Sequence, residues 1–360
     1  MEARERILAV IHHEKPDRIP CDFWGTPEVV EGLKKHLGVE EDIELWKVLG
    51  IDKIVNLTPS VLWVPVSHHY VGPPIPEDQD IWGVRYQRTT YLNGKAAYWE
   101  VKERPLAHLN TIEAVQASYA FPKVDWFDFS TLAEECKRYQ GYAIQCGYMS
   151  PFYTYTTIRG LEQTYIDLIE NPEYAHFVLG KIVDFLYALH EKLFEAGQGY
   201  IDIAEVTDDL GTQRGLAISV KMIEEFLVPH YRRLIGLTKS FGIKVFHHDD
   251  GAIRDVIPLL IDLGIEILNP IQWRLPGMDP RALKEDFGRS LCFHGGVDNQ
   301  ETLPFGSPKE VEKEVCFLLE TLASDGTGFI VAPCHNIQPL TPVENIVALY
   351  RAVNFWGWLG

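Results

Sequence analysis

Three features of the sequence predict a single closed (β/α)8 barrel over residues 1–360. From about residue 140 to the end, short β-branched runs alternate with amphipathic helical stretches, the pattern of a parallel sheet. Two further strand-like runs near the start bring the expected strand total to eight. Polar, chemistry-bearing residues then collect just after the later strands, where parallel α/β folds bind ligands. A chain of 360 residues, 46% hydrophobic, has ample material for one large core.

Taken in order, Glu2–His13 reads as an amphipathic helix that stops before Pro16. Ile19–Trp24 is strand-like and closed by Gly25, and Lys53–Leu57 is the second early strand. Pro27–Leu37 and Glu41–Leu49 carry helical spacing between them. Within residues 60–105 the runs Trp82–Tyr91 and Ala96–Val101 flank Asn93-Gly94, a strong hairpin signal. This segment is expected to be an antiparallel insertion covering one mouth of the barrel. Six βα units follow. Tyr142–Cys146 precedes helices within Arg159–Ala196, and Tyr200–Val206 precedes a helix over Ser219–Phe241. Lys244–His247 precedes Ile253–Leu263, and Ile265–Leu268 precedes Pro280–Phe287. Leu291–His294 precedes Lys309–Ala323, and Phe329–Ala332 precedes Pro342–Phe355.

A net charge of −18 argues against a nucleic-acid partner, because phosphate binding needs clustered Lys and Arg. The N-terminus lacks the apolar stretch of a signal peptide, and no apolar run approaches the roughly 20 residues of a membrane span. Cys21, Cys136, Cys146, Cys292, Cys316 and Cys334 are scattered, without a CxxC pair, which suits reduced thiols. A soluble, cytoplasmic protein is expected. The aromatic C-terminus, Phe355-Trp-Gly-Trp-Leu359, reads as helix-end packing or a homodimer contact.

The polar clusters carry the functional reading. Glu205, Thr207, Asp208, Asp209 and Gln213 follow one strand, and His247-His-Asp-Asp-Gly251 follows the next. Asn269-Pro-Ile-Gln272, His294-Gly-Gly-Val-Asp298 and Cys334-His-Asn336 complete the series. Adjacent strand residues point to opposite faces, so one of His247 and His248 faces a shared site, and His248 is the better choice. Asp249 is either a site residue or the N-cap of the helix at Ile253. His294 is either a strand-end structural residue or a functional one, and Cys334 reads as a buried thiol. His248-x-Asp250 with His335 offers two nitrogens, one oxygen and an open position, which suits zinc or another divalent ion. The competing reading is a metal-free cluster in which crowded carboxylates raise one another's pKa beside histidine.

At Asp208-Asp-Leu-Gly-Thr-Gln213, Phe246-His-His-Asp-Asp-Gly251, Gly264-Ile-Glu-Ile-Leu-Asn-Pro-Ile-Gln272 and Pro333-Cys-His-Asn-Ile-Gln-Pro-Leu-Thr-Pro-Val-Glu-Asn345, the chain resembles the uroporphyrinogen decarboxylase superfamily. That resemblance implies a (β/α)8 barrel with its site at the carboxyl ends of the strands. Its decarboxylase branch grips a polycarboxylate tetrapyrrole through an arginine-bearing N-terminal motif. The corresponding Cys21-Asp-Phe-Trp-Gly-Thr26 has no arginine, a poor match for such an anion. His335 does match the histidine of a C-terminal decarboxylase motif. The other branch, similar to methylcobalamin:coenzyme M methyltransferase, holds zinc through a His-x-Cys pair and a later cysteine. Here His248 matches the first ligand, Asp250 stands at the cysteine, and the last ligand falls near Cys334 or His335.

The resemblance therefore implies a methyltransferase moving a methyl group between a small substrate and a corrinoid (cobalamin), free or on a corrinoid protein. His248, Asp250 and His335 would hold metal or substrate, and Asp209 and Glu205 would act as acid/base or orienting groups. Gln213, Gln272, His294, Asp298 and Asn336 would line the pocket. The alternatives are decarboxylation of a tetrapyrrole or smaller carboxylate, and a non-catalytic barrel that binds a tetrapyrrole or a partner.

Overall fold

A computed structural model describes residues 1–91, 94 and 96–358 of the chain. Asn93 of the expected hairpin turn and Leu359 of the aromatic C-terminus lie outside the described residues. The strands are β1 (Ile54–Asn56), β2 (Arg85–Tyr91), β3 (Ala96–Glu103), β4 (Ala143–Met149), β5 (Ile203–Val206), β6 (Lys244–His248), β7 (Ile267–Asn269), β8 (Cys292–Val297) and β9 (Phe329–Pro333). Seven of them form one parallel sheet in the order β1-β4-β5-β6-β7-β8-β9, with helices in the crossovers. β2 and β3 pair antiparallel by themselves within residues 60–105.

The sheet curls. One residue from every strand of it (Ile54, Ala143, Ile203, Phe246, Ile267, Cys292 and Ile330) meets in a single interior cluster. Ile7, Val10 and Ile11 of the helix Ala3–Ile11 complete that cluster from below. β5, β7, β8 and β9 are buried along their whole length, as expected of strands covered on both faces. The outer faces pack against the crossover helices to form the main core.

The expected strand over Ile19–Trp24 is reduced to isolated bridges, Cys21 with Val331 and Gly25 with Ile337. Carboxylates take the ladder's place on the β1 side. Asp52 accepts the Cys21 N–H at 2.9 Å, and Asp22 accepts the Ile54 N–H at 2.9 Å. Between them runs a backbone bond from Asp52 N–H to the Cys21 carbonyl, 2.9 Å. The segment thus lies between β9 and β1, stitched by side chains where strand pairing would use backbone.

Two helical expectations also shift. Pro151–Arg159, ahead of the helical stretch expected from Arg159, is already a helix. Its N-terminus is capped from far away in sequence, because the Asp208 carboxylate accepts the N–H groups of Phe152 and Tyr153. The single helix expected over Ser219–Phe241 divides at Leu227 into Val220–Phe226 and Val228–Ser240, where Pro229 cannot continue the preceding turn.

Candidate functional site

At the carboxyl end of the sheet a cavity of about 510 Å³ opens, within the size range of small-molecule sites. Its walls include Trp24, Lys53, Asn56, Trp63, Gln145, Tyr148, Tyr153, Glu205, Asp209, His248, His335 and Asn336. β1, β4, β5 and β6 each end in one of these residues or contribute one along their length. Trp63 belongs to residues 60–105, and Tyr91 at the end of β2 donates its hydroxyl to Gln338 Oε1 at 3.2 Å. That bond ties the antiparallel pair to the loop after β9.

His248, Asp250 and His335 converge as their spacing suggested. One donor atom from each lies within 4.8 Å of the other two. His247 turns the other way: it is buried and donates from Nδ1 to the Val206 carbonyl at 2.8 Å. Thr207 fixes the backbone of His248, accepting its N–H at 2.8 Å and donating back to its carbonyl. Asp250 is positioned by two glycines. A Cβ on Gly211 would stand 2.1 Å from the Asp250 carbonyl oxygen. Gly251 has φ +107 and would drive a Cβ to 2.7 Å from Gly211 and Thr212 backbone. The loops after β5 and β6 therefore touch backbone to backbone, which holds Asp250 beside the two histidines.

Behind His248 runs a buried relay. Asn269 accepts from His248 Nδ1 at 2.5 Å and donates to His294 Nδ1 at 2.7 Å. His294 in turn donates from Nε2 to Asp22 at 3.1 Å. Asp22, Asn269 and His294 are all completely buried. The direction of the chain is set at its charged end. Burial works against charge on Asp22, but Lys53, His294 and the Ile54 N–H outweigh it and hold the carboxyl well below its usual range. A charged Asp22 needs His294 Nε2–H, which leaves His294 Nδ1 to accept, Asn269 to present its carbonyl, and His248 to keep its proton on Nδ1. His248 Nε2 is then the nitrogen left for the cavity. Trp24 roofs the relay, with its ring centroid 5.9 Å from that of His248, 5.4 Å from His294 and 6.5 Å from His335.

The titrating groups are arranged around this centre. Burial raises Glu205 to about 7, against the pull of His248, His247 and a bond to Gln145. Burial and the neighbouring Asp249 and Asp250 raise Asp209 to about 6, against His248. Asp209 stands exposed at the cavity wall, so water screens its shift and Glu205 is the better insulated of the two. For His248, burial lowers the pKa, but Asp250, Glu205, the Asn269 bond and Asp209 reverse it to a net rise. His335 is lowered by burial and by His248.

The remaining expected residues fall elsewhere. Gln213 is exposed and outside the cavity wall. Gln272 accepts the Gly251 N–H at 2.6 Å, which makes it a brace for the Asp250 loop. His294 is behind the site, in the relay. Asp298 accepts the N–H groups of Gln300, Glu301 and Thr302 and pairs with Arg274 at 3.1 Å, so it organises its own loop. Asp249 does not cap the helix after it; its carboxylate accepts the Leu210 and Gly211 N–H groups instead. Asp208 caps the helix Pro151–Arg159 and binds the Ser150 and Tyr231 hydroxyls. Cys334 is a buried thiol directed at the Ile271 carbonyl. Trp24, Lys53, Asn56, Gln145, Tyr148 and Tyr153 also line the cavity, and none belongs to the acid- and histidine-rich strand-end clusters that mark the site in the sequence. Asn56 lies within the expected strand Lys53–Leu57 and Tyr148 two residues after the expected strand Tyr142–Cys146, the one local signal that points to them.

A family model described as uroporphyrinogen decarboxylase (URO-D) matches residues 130–356, more than half of the chain. Among curated proteins, a uroporphyrinogen decarboxylase of Anaeromyxobacter sp. (strain Fw109-5) is 27% identical over 136 residues, 38% of this chain and 37% of that protein. The uroporphyrinogen decarboxylase of Myxococcus xanthus (strain DK1622) is 25% identical over 190 residues, 53% of this chain and 50% of that protein. These matched stretches span half or less of the curated relatives' length. Among solved structures, a methyltransferase from Methanosarcina mazei superposes with a TM-score of 0.68 at 18% identity, covering 99% of both chains. Identity that low establishes a shared fold and leaves activity to the site.

Proposed function

The chain belongs to the uroporphyrinogen decarboxylase (URO-D) family, and from that premise we propose that it is a methyltransferase moving a methyl group between a small substrate and a corrinoid. The cavity wall carries this reading. Among its described residues are the carboxylates Asp42, Glu205 and Asp209 and one cation, Lys53, which is already paired with Asp22 at 3.0 Å. A site for a polyanionic porphyrinogen needs several unspent cations. This one suits a neutral or cationic small molecule held among Trp24, Trp63, Tyr148 and Tyr153. The full-length fold likeness to a methyltransferase supports the same direction. We read Ile19–Trp24 as the eighth stave of a barrel and residues 60–105 as an insertion over its mouth.

The residues present fit a divalent cation. Asp250 Oδ1 is buried without a hydrogen-bond partner among the described residues, and the relay leaves His248 Nε2 as the ring nitrogen available to the cavity. His248, Asp250 and His335 would hold the ion, a harder N/O set than thiolates provide. Such an ion would supply Lewis acidity toward the substrate, and a corrinoid would supply a cobalt able to carry the methyl group. The chain's own part is to bind and orient. Trp24 and the relay fix His248, Glu205 holds or releases a proton near neutrality, and the aromatic wall excludes water from the reacting atoms. The corrinoid would meet the cavity mouth from outside, free or on a partner protein. Six unpaired cysteines, five of them buried, suit a cytoplasmic location.

The test is to mix the purified protein, with zinc added, with methylcob(III)alamin and candidate acceptors, and cob(I)alamin with methylated donors. A change in the cobalamin spectrum that His248→Ala and Asp250→Ala abolish is expected. The family and its named relatives favour decarboxylation as the second reading. Formation of coproporphyrinogen from uroporphyrinogen with no cobalamin change would establish it. Tight tetrapyrrole binding indifferent to both variants, with no turnover, would mark a binding protein.

A further inference from the structure

We propose that His68, His69 and Glu135 form a second divalent-metal site, apart from the cavity, that staples the start of the 60–105 segment to the helix Leu132–Lys137. One donor atom from each of the three lies within 4.8 Å of the other two. None of them lines the cavity described above.

The site is built from both sides. Ser67–Tyr70 is a tight turn, closed by the Tyr70 N–H on the Ser67 carbonyl at 3.0 Å. It is sewn to the chain before the helix by a Tyr70–Phe127 bridge and by the Asp128 N–H on the His69 carbonyl, 2.9 Å. Glu135 projects from the helix to meet it. His69 is only 3% exposed and donates from Nδ1 to the Asp128 carbonyl at 3.0 Å. That bond commits the other nitrogen. Nε2 is buried, has no hydrogen-bond partner among the described residues, and faces Glu135 Oε2 at 3.4 Å.

A ring nitrogen aimed at a carboxylate calls for a cation between them, a proton or a metal ion. Backbone-anchored Nδ1–H with a free Nε2 is the usual preparation of a metal-ligating histidine. His68 Nε2 stands 3.2 Å from Glu135 Oε1. Tetrahedral zinc with bonds of about 2.1 Å places neighbouring donors about 3.4 Å apart, the separation of His69 Nε2 from Oε2; His68 approaches the other oxygen, Oε1, so the exposed His68 would turn to meet an ion held between His69 and Oε2. Glu135 is itself oriented by the Thr131 hydroxyl at 2.6 Å. The exposed His68 leaves the fourth position to solvent. Two imidazoles and one carboxylate suit zinc better than calcium or magnesium, which take oxygen shells. Trp63, a few residues before the turn, forms part of the cavity wall, so the staple would steady that wall from outside.

Zinc alone is the probe. Chelator-treated full-length protein is titrated with Zn²⁺, and bound metal is counted after desalting, for wild type, His68→Gln, Glu135→Gln and the cavity variant His248→Ala/His335→Ala. The cavity variant is expected to retain one zinc per chain. His68→Gln and Glu135→Gln are each expected to lose one zinc equivalent or to bind it at least tenfold more weakly, and His68→Gln alters only an exposed side chain. Zinc should also raise the melting temperature of the cavity variant and not that of a triple variant carrying Glu135→Gln. Zinc content unchanged by His68→Gln and Glu135→Gln, or a folded cavity variant that holds no zinc, overturns the proposal. Neither result bears on methyl transfer at the cavity.

Discussion

Replacing Asn269 by leucine cuts the relay behind His248 while keeping the side chain's branched outline. Asn269 is completely buried, and its amide satisfies His248 Nδ1 at 2.5 Å and His294 Nδ1 at 2.7 Å. Leucine can do neither. Each buried ring nitrogen left without a partner costs about 1–3 kcal/mol, so the pair sums to about 2–6 kcal/mol. His248 is only half-buried and water can reach part of it, which places the expected loss in the lower half of that range. The second effect is on the tautomer. Without the Asn269 carbonyl, His248 is free to carry its proton on Nε2, the atom assigned to the cavity. Loss of such outer support typically weakens a metal site about 10–100-fold, equivalent to about 1.4–2.7 kcal/mol. Urea unfolding gives the first quantity. Zinc competition against a chromophoric chelator, in a His68→Gln background so that only the cavity site is read, gives the second. Asn269→Asp should fall between, since it keeps an acceptor for His248 and sets a carboxylate against the His294 lone pair. Wild-type stability and wild-type zinc affinity in Asn269→Leu would refute the relay.

Other expectations follow from buried charge and from close backbone approach. Asp80 is completely buried, and burial raises it to about 7 from 3.8. The Tyr86 hydroxyl donates to Asp80 Oδ2 at 2.9 Å, and the Trp82 and Val84 N–H groups donate to Oδ1; these bonds oppose the rise without cancelling it. The folded state therefore binds that proton more tightly than the unfolded state. Its stabilisation is complete below about pH 3.8 and lost as pH rises through about 7, by at most about 4 kcal/mol. Unfolding titrations should show this slope in wild type and a flattened one in Asp80→Asn. Asp167→Ala leaves Arg159 buried and unpaired after removing a two-pronged contact at 2.8 and 3.1 Å, and should cost about 3–5 kcal/mol in denaturant unfolding. Gly251→Ala forces a Cβ into Thr212 backbone at 2.7 Å and should lower both the melting temperature and zinc binding at the cavity. Glu205→Gln should slow methyl transfer by about 10²–10⁴-fold, measured in single turnovers, while leaving the fold's circular dichroism unchanged.

Much of the architecture was legible because its signals are local. Strand–helix alternation after residue 140 follows from side-chain periodicity, and the opposite pointing of His247 and His248 follows from the pleat. What escaped is carried by contacts remote in sequence. Pro151–Arg159 becomes a helix because Asp208 caps it across more than fifty residues. Ile19–Trp24 lacks a full ladder because Asp22 and Asp52 substitute carboxylate for backbone acceptors. Asp298 and Gln272 resemble site residues in sequence, yet their polar atoms are consumed by loop backbone. His294 was expected in the pocket and acts one layer behind it, through Asn269. Trp24 and Tyr148 carry no acid/base signature, so only the folded chain shows that they wall the cavity.

The most direct test is zinc X-ray absorption on His68→Gln protein loaded with one equivalent of metal. Nitrogen and oxygen ligands alone, with imidazole scattering that weakens in His335→Ala, are expected from a site of His248, Asp250 and His335. A sulfur ligand, or a folded protein that retains no zinc, would contradict it.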